Sequence, residues 1–179
     1  MLILITGGVR SGKSRYALQL ASGQTGRRTF IATAEALDDE MRERIRRHRE
    51  ERDGSFRTIE ELFDLAGAVG RAGTDSEVIV IDCLTLWVSN LISHRRSSPE
   101  EIENSFAALL GVLKRTGKNV IAVTNEVGMG IIPVNPLARE YGDLLGGLNR
   151  RVAEIADQVI LMVCGLPQQI KKGSHGKMD

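Results

Sequence analysis

Eight residues near the start of the chain have the types and spacing to hold a polyphosphate: Gly7, Gly8, Val9, Arg10, Ser11, Gly12, Lys13 and Ser14. They spell G-x-x-x-x-G-K-S, preceded by the apolar run Leu2 to Thr6 and followed by a helical pattern through Tyr16, Ala17, Leu20 and Ala21. A strand, a glycine turn and a helix in that order are the context a phosphate-binding loop needs. The glycines let the backbone turn tightly and approach a phosphate chain, so that successive N–H groups and the helix N-terminus point at anionic oxygen. Lys13 then reaches the β- and γ-phosphates and the Ser14 hydroxyl serves Mg²⁺. A glycine-rich turn that binds nothing would need neither the lysine nor the serine.

Two acids are candidates for the metal side. Asp82 closes an apolar run and can hold Mg²⁺ opposite Ser14 if its strand lies beside the first one; the alternative is a helix N-cap carboxylate. Glu126 stands at the end of another strand, with a weaker claim, since a loop acid facing solvent reads equally well.

Residues 38–52 read as one long charged helix with i,i+4 pairs Asp38–Arg42, Glu40–Arg44, Glu43–Arg47 and Arg46–Glu50. Such pairs describe a solvated face. Met41, Ile45, His48 and Arg52, however, follow one another at four, three and four residues, so His48 continues the only apolar stripe and is expected to face inward. Arg44 and Arg52 disfavour imidazolium, leaving a neutral nitrogen able to attack an electrophile beside cations able to hold a polyphosphate. A half-buried packing histidine satisfies the same spacing.

The elements that must position these groups alternate strand and helix, as a parallel α/β sheet demands. Strands are predicted over 2–6, 28–33, 77–82, 119–124 and 158–163. Residues 53–58 are expected to break the charged helix, and 59–69 to resume helical pattern through Leu62, Leu65, Ala66 and Val69. Leu84, Trp87, Val88, Leu91 and Ile92 fit one helix face. After a polar loop at 94–98, Ser98, Pro99 and Glu101 make a capping box for a helix with the stripe Ile102, Phe106, Leu109, Leu110 and Leu113. Residues 125–136, NEVGMGIIPVNP, are too rich in Gly and Pro for a regular element, yet follow a strand's C-terminal end, where open sheets place ligands. A last helix is predicted from Leu137 through Ile155. Residues 171–179 read as a disordered tail after a single domain spanning 1–170.

Composition excludes several classes. The 179 residues are 42% hydrophobic and 26% charged, enough for one buried core. With 24 basic against 23 acidic residues and 4% aromatics, the chain offers neither the basic stripe nor the stacking platform of a nucleic-acid motor. Cys83 and Cys164 lack C-x-x-C spacing and read as reduced thiols. No leader or membrane span is expected, because the first apolar run is short and leads straight into the phosphate loop; the expected compartment is the cytoplasm. A regulatory GTPase would read guanine through N-K-x-D, and the nearest stretch, Thr124 to Val127, lacks both the Lys and the Asp. A small-molecule kinase without a covalent intermediate stays open.

GGVRSGKS at 7–14, IATAEALDDEMRERIRRHREER at 31–52, DCLTLWVSNL at 82–91 and TNEVGMGIIP at 124–133 together resemble the adenosylcobinamide kinase/adenosylcobinamide-phosphate guanylyltransferase family. The resemblance covers nearly the whole chain. It implies an α/β P-loop NTPase with a RecA-like, mostly parallel sheet, a homotrimer and Mg²⁺, with ATP and GTP as substrates. It also implies two reactions: phosphorylation of adenosylcobinamide, then transfer of GMP from GTP through a histidine to adenosylcobinamide phosphate, with pyrophosphate leaving. Residue by residue, its nucleotide contacts fall on Gly7 to Ser14, on Ala32, Thr33 and Ala34, on Arg49, Glu50, Glu51 and Arg52, on Glu60 and on Asp82, with Lys13 catalytic. The guanylylated histidine falls on His48. Some relatives carry adjacent histidines here; this chain has Arg47 then His48, leaving one candidate.

Overall fold

A computed structural model of the chain describes residues 1–36, 39–50, 52, 54–93 and 97–173, apart from the side chains at 40, 44, 47 and 48. Its strands are β1 (Leu2–Gly7), β2 (Arg28–Ala32), β3 (Phe56–Glu60), β4 (Val78–Asp82), β5 (Asn119–Val123), β6 (Gln158–Val163) and β7 (Leu166–Lys171). The helices are α1 (Lys13–Ser22), α2 (Asp39–Glu50), α3 (Leu65–Asp75), α4 (Leu84–Ser93), α5 (Pro99–Arg115) and α6 (Pro136–Ile155). All seven strands form one sheet in the order β3-β2-β4-β5-β1-β6-β7, parallel except for the β6–β7 hairpin. This is the mostly parallel α/β sheet the sequence predicts.

Strands buried on both faces should read as continuous apolar runs, and β1, β4 and β5 do. Their alternate residues feed two cores. Leu2, Leu4, Ile79, Ile81, Val120 and Ala122 pack with α3, α4, α5 and α6. Ile3, Ile5, Val78, Val80, Ile121 and Val123 pack with Ala17, Leu18 and Ala21 of α1. Because six strands run the same way, Gly7, Ala32, Glu60, Asp82 and Val123 end at one edge of the sheet, where the chemistry-bearing residues gather.

Four expectations need correction. Residues 56–60, expected in a break and the start of a helix, form edge strand β3, paired with β2 from Arg28↔Phe56 to Ala32↔Glu60. The helix begins only at Leu65, because the Asp64 carboxylate accepts from Gly67 N–H at 2.9 Å and fixes its start. The charged helix stops at Glu50, so Arg52 lies beyond it and does not continue its stripe. Lys171, expected in the tail, ends β7, its ammonium donating to the carbonyls of Ala153 and Glu154 at 3.0 Å each. Strand β7 itself has no apolar pattern to announce it; a two-residue turn with Cys164 at φ 51° and Gly165 at φ 80° forces it back along β6. The rest of the expected tail, 174–179, lies outside the described residues, as do 94–96 of the polar loop.

The capping box of α5 forms as predicted: Ser98 Oγ accepts from Glu101 N–H at 3.2 Å, and Glu101 returns an acceptor to Ser98 N–H at 2.7 Å. Residues 125–135 hold no helix or strand, as predicted, whereas Thr124, expected in the strand, lies just past β5, and Pro136, expected in the irregular stretch, opens α6 behind the Asn135 cap.

Candidate active site

The phosphate loop connects β1 to α1 and is shaped by its backbone. Gly7 has φ 145°, and a Cβ there would sit 2.4 Å from the Met162 carbonyl oxygen of β6, so no side chain fits. Arg10 and Gly12 also take positive φ, at 57° and 93°. Gly12 caps α1 without any side-chain hydrogen bond, leaving the first N–H groups of the helix for an anion. Lys13 is 7% exposed, and its ammonium donates to Gly8 O at 2.5 Å and Ser11 Oγ at 3.4 Å. Those are oxygens a bound triphosphate would replace. The hairpin turn buttresses the loop, with Gly165 N–H donating to Ser11 O at 3.1 Å.

A cleft of about 540 Å³ lies where α2 overhangs the ends of β2, β3 and β4. Ala32, Ala34, Arg49, Arg52, Glu60 and Asp82 all line it, with Met41, Ile45 and Phe30 as apolar wall. Six of the predicted contacts are thus brought together by four separate elements. Arg52 is the buried cation of the group, 9% exposed, its guanidinium 4.1 Å from the centroid of the Phe30 ring. Burial pulls the Arg52 pKa below its ordinary range and the Arg49 charge adds to this, while Asp82 and Glu60 oppose it. Arg49 pairs with Glu60 across the mouth of the cleft. On the outer face of α2, Arg46 pairs with Glu43 at 2.6 Å and with Glu50, which together hold its pKa above the ordinary arginine range. These pairs are solvent-exposed and of little energetic weight.

Other predicted residues fall elsewhere. The first strand and the one ending in Asp82 are not neighbours, because β5 lies between them. Two strand spacings put roughly 10 Å between their ends, a gap that a metal with its waters and a triphosphate would span. Thr33 is buried with its hydroxyl committed: it accepts from Cys83 N–H at 2.8 Å and donates to Cys83 O at 2.7 Å. Glu50 points to Arg46. His48 stands on α2 between Ile45 and Arg49, while its side chain, that of Arg44, the pair Asp38–Arg42 and residue Glu51 lie outside the described residues.

Sequence reasoning missed Phe30 as the platform for Arg52, and a polar network under the 125–135 segment. There Thr124 Oγ1 donates to Asn149 Oδ1 at 2.7 Å, Asn149 Nδ2 donates to Asn125 O at 3.0 Å, and Asn125 N–H donates to Thr85 Oγ1 at 2.7 Å. Asn90 likewise ties α4 to Thr33 O at 2.9 Å. The available signal was an amide interrupting an otherwise apolar helix stripe: Asn90 beside Leu91, Asn149 beside Leu148.

Residues 3–170 match the family described as cobinamide kinase / cobinamide phosphate guanyltransferase. The chain belongs to this family. It is 39% identical over 168 residues, 94% of this chain and 96% of the relative, to the bifunctional adenosylcobalamin biosynthesis protein CobP of Pseudomonas aeruginosa. It is 38% identical over 182 residues, 96% of this chain and 100% of the relative, to the corresponding CobU protein of Salmonella typhimurium. By that membership it is a transferase of cobalamin biosynthesis with kinase and guanylyltransferase chemistry. Among solved structures, the P4 protein of bacteriophage phi6 in complex with ADP superposes with a TM-score of 0.51 at 15% identity, over 98% of this chain and 55% of that one. That likeness concerns the fold alone.

No helix among the described residues is long and apolar enough to cross a membrane.

Proposed function

We propose that the protein phosphorylates the hydroxyl of adenosylcobinamide with ATP or GTP, then transfers GMP from GTP through His48 to adenosylcobinamide phosphate, giving adenosylcobinamide-GDP and pyrophosphate. The observation that carries this reading is the pairing, at one sheet edge, of a phosphate loop with a separate arginine-lined cleft under the helix that bears His48.

In the first step the loop backbone and Lys13 hold the β- and γ-phosphates and draw charge onto the leaving diphosphate. In the second, a His48 ring nitrogen attacks the α-phosphorus of GTP: an N–P bond forms, the bond from the α-phosphorus to the bridging oxygen breaks, and pyrophosphate departs. A phosphate oxygen of the acceptor then displaces the imidazole, which returns to its starting state. Arg49 and Arg52 supply cationic donors to the nucleotide, with Arg52 held in place by Phe30. Ser14 and Asp82 offer hard oxygen donors of the kind Mg²⁺ takes alongside phosphate oxygens, and the ion would neutralise charge on the triphosphate. Ala32, Thr33, Ala34 and Glu60 are proposed to shape the nucleotide side of the cleft, and Glu50 and Glu51, next in sequence after Arg49, are proposed as further nucleotide contacts.

The cytoplasm, where both nucleotides are supplied, is the compartment this chemistry asks for. A homotrimer is the assembly proposed with it: Val127, Met129, Ile131, Ile132, Val134 and Leu137 are all exposed, from 42% to 97%, in one segment that a second copy would cover.

The test is sequential product analysis. Adenosylcobinamide with ATP should give the phosphate ester, and added GTP should convert it to the GDP derivative with one pyrophosphate released per turnover. Accumulation of the phosphate ester with no conversion by GTP would reduce the protein to a kinase.

A further inference from the structure

The phosphorylation step needs a base for the substrate hydroxyl; the loop carries no carboxylate, and in the arginine cleft Glu60 is paired with Arg49 while Asp82 is assigned to the metal side. We propose that Glu126 is that catalytic carboxylate, an assignment that rests on the kinase reading above. Strand β5 lies between β1, which leads into the phosphate loop, and β4, which ends in Asp82. The β5–β1 ladder continues past the end of the strand: Thr124 N–H donates to Ile5 O at 2.9 Å and Glu126 N–H to Gly7 O at 3.1 Å. Glu126 is therefore the carboxylate-bearing residue, among those described, whose own backbone is bonded to the phosphate loop, at the point between the γ-phosphate cradle and the metal-side acid.

The surroundings hold that point fixed. Buried Thr124, Thr85 and Asn149 form a connected set of hydrogen bonds that grips Asn125 from both its N–H and its carbonyl. Tyr141 adds a bond from its hydroxyl to Thr85 O at 3.2 Å. Buried polar networks are costly unless fully satisfied, and this one ends at the residue before Glu126. The Glu126 carboxylate is half-buried and makes no hydrogen bond or ion pair among the described residues, whereas Glu60 and Glu61 are paired with arginines. A turn pinned on one side, carrying an uncommitted carboxylate beside the phosphate loop, is what a general base requires: fixed position and an open acceptor.

The step balances. The substrate O–H proton passes to the Glu126 carboxylate as the oxygen bonds to the γ-phosphorus and the bond from the γ-phosphorus to the bridging oxygen breaks, releasing the nucleoside diphosphate; the proton then leaves to water. Guanylyl transfer has no such demand. Neutral imidazole and the phosphate dianion of the acceptor both attack without losing a proton.

That difference provides the test. Full-length wild-type protein and Glu126→Gln are assayed for phosphorylation of adenosylcobinamide by ATP, and for GMP transfer from GTP to separately prepared adenosylcobinamide phosphate. The expected result is a fall in kinase kcat of about 100-fold or more, with KM for both substrates within about threefold and GMP transfer unchanged. Glu126→Asp, which keeps the carboxylate, should recover part of the lost kcat. A kinase kcat within about threefold of wild type would overturn the assignment, and so would parallel loss of both reactions, which would mean that Glu126 only supports the loop. Absence of kinase turnover in the wild type would instead remove the kinase reading, and the assignment with it.

Discussion

The phosphate loop and the arginine cleft sit at the same sheet edge but are built in opposite ways. The loop is contiguous, and its shape comes from backbone constraints: glycine at φ 145° against Met162 O, an uncapped helix start, and a lysine folded onto its own loop carbonyl. The cleft is assembled from β2, β3, β4 and α2, and its character comes from side chains that meet only in the folded protein, above all Arg52 on Phe30. A site held by backbone suits a task common to both reactions, gripping a triphosphate. One held by long side chains, from α2 and from Arg52 just beyond it, suits a task that only one reaction needs.

The comparison breaks first at Lys13. Lys13→Ala should reduce kinase and guanylyl transfer together, each by about 1,000-fold or more, because both develop charge on the same triphosphate. Steady-state assays of the two half-reactions check this, and retention of either near its normal rate would require a second nucleotide site. At Arg52 the two regions should separate. Arg52→Ala should slow formation of the guanylyl-enzyme by about 10- to 100-fold while leaving ATP-dependent phosphorylation near wild type, as single-turnover measurements would show. Equal loss in both reactions would mean that cleft and loop act as one site.

The smallest effect concerns the network beside the loop. Burial, with Cys83 adding, pushes the Tyr141 hydroxyl up to about 12 from its ordinary 10. Below pH 10 both folded and unfolded chains keep this proton, so it adds no pH dependence. Between about 10 and 12 the unfolded chain loses it first, and stability falls as pH rises. Denaturant titrations of Tyr141→Phe should therefore show a shallower decline than wild type across that window, offset at all pH values by the lost bond to Thr85 O.

How much of this could be read from sequence follows the same division. The loop was legible because G-x-x-x-x-G-K-S fixes its own conformation and announces the strand and helix on either side. The α5 capping box was legible for the same local reason. Strand β3 was not, because at the sheet edge only Phe56 and Ile59 are half-buried, too little to set a period of two against the helix-like spacing downstream. Strand β7 was hidden in polar, exposed residues and exists through the Cys164-Gly165 turn. In the cleft, spacing set Arg52 with Arg44 around His48 but assigned Arg52 to a helix that stops two residues before it, and Arg49 came from the family resemblance alone. The burial of Arg52 against Phe30 depends on β2, more than twenty residues earlier in the chain. No local pattern carries such information.

Covalent labelling of His48 decides most directly whether GMP passes through the enzyme. Wild-type protein incubated with α-labelled GTP before any corrinoid is added should take up label that is lost in acid and kept in base, as a phosphoramidate requires. Peptide mapping should place it on His48. His48→Ala should take up none and lose guanylyl transfer, yet phosphorylate adenosylcobinamide at close to the wild-type rate. Undiminished labelling of His48→Ala, or label mapped to Lys13 or Ser14, would contradict the account and move the covalent chemistry into the phosphate loop.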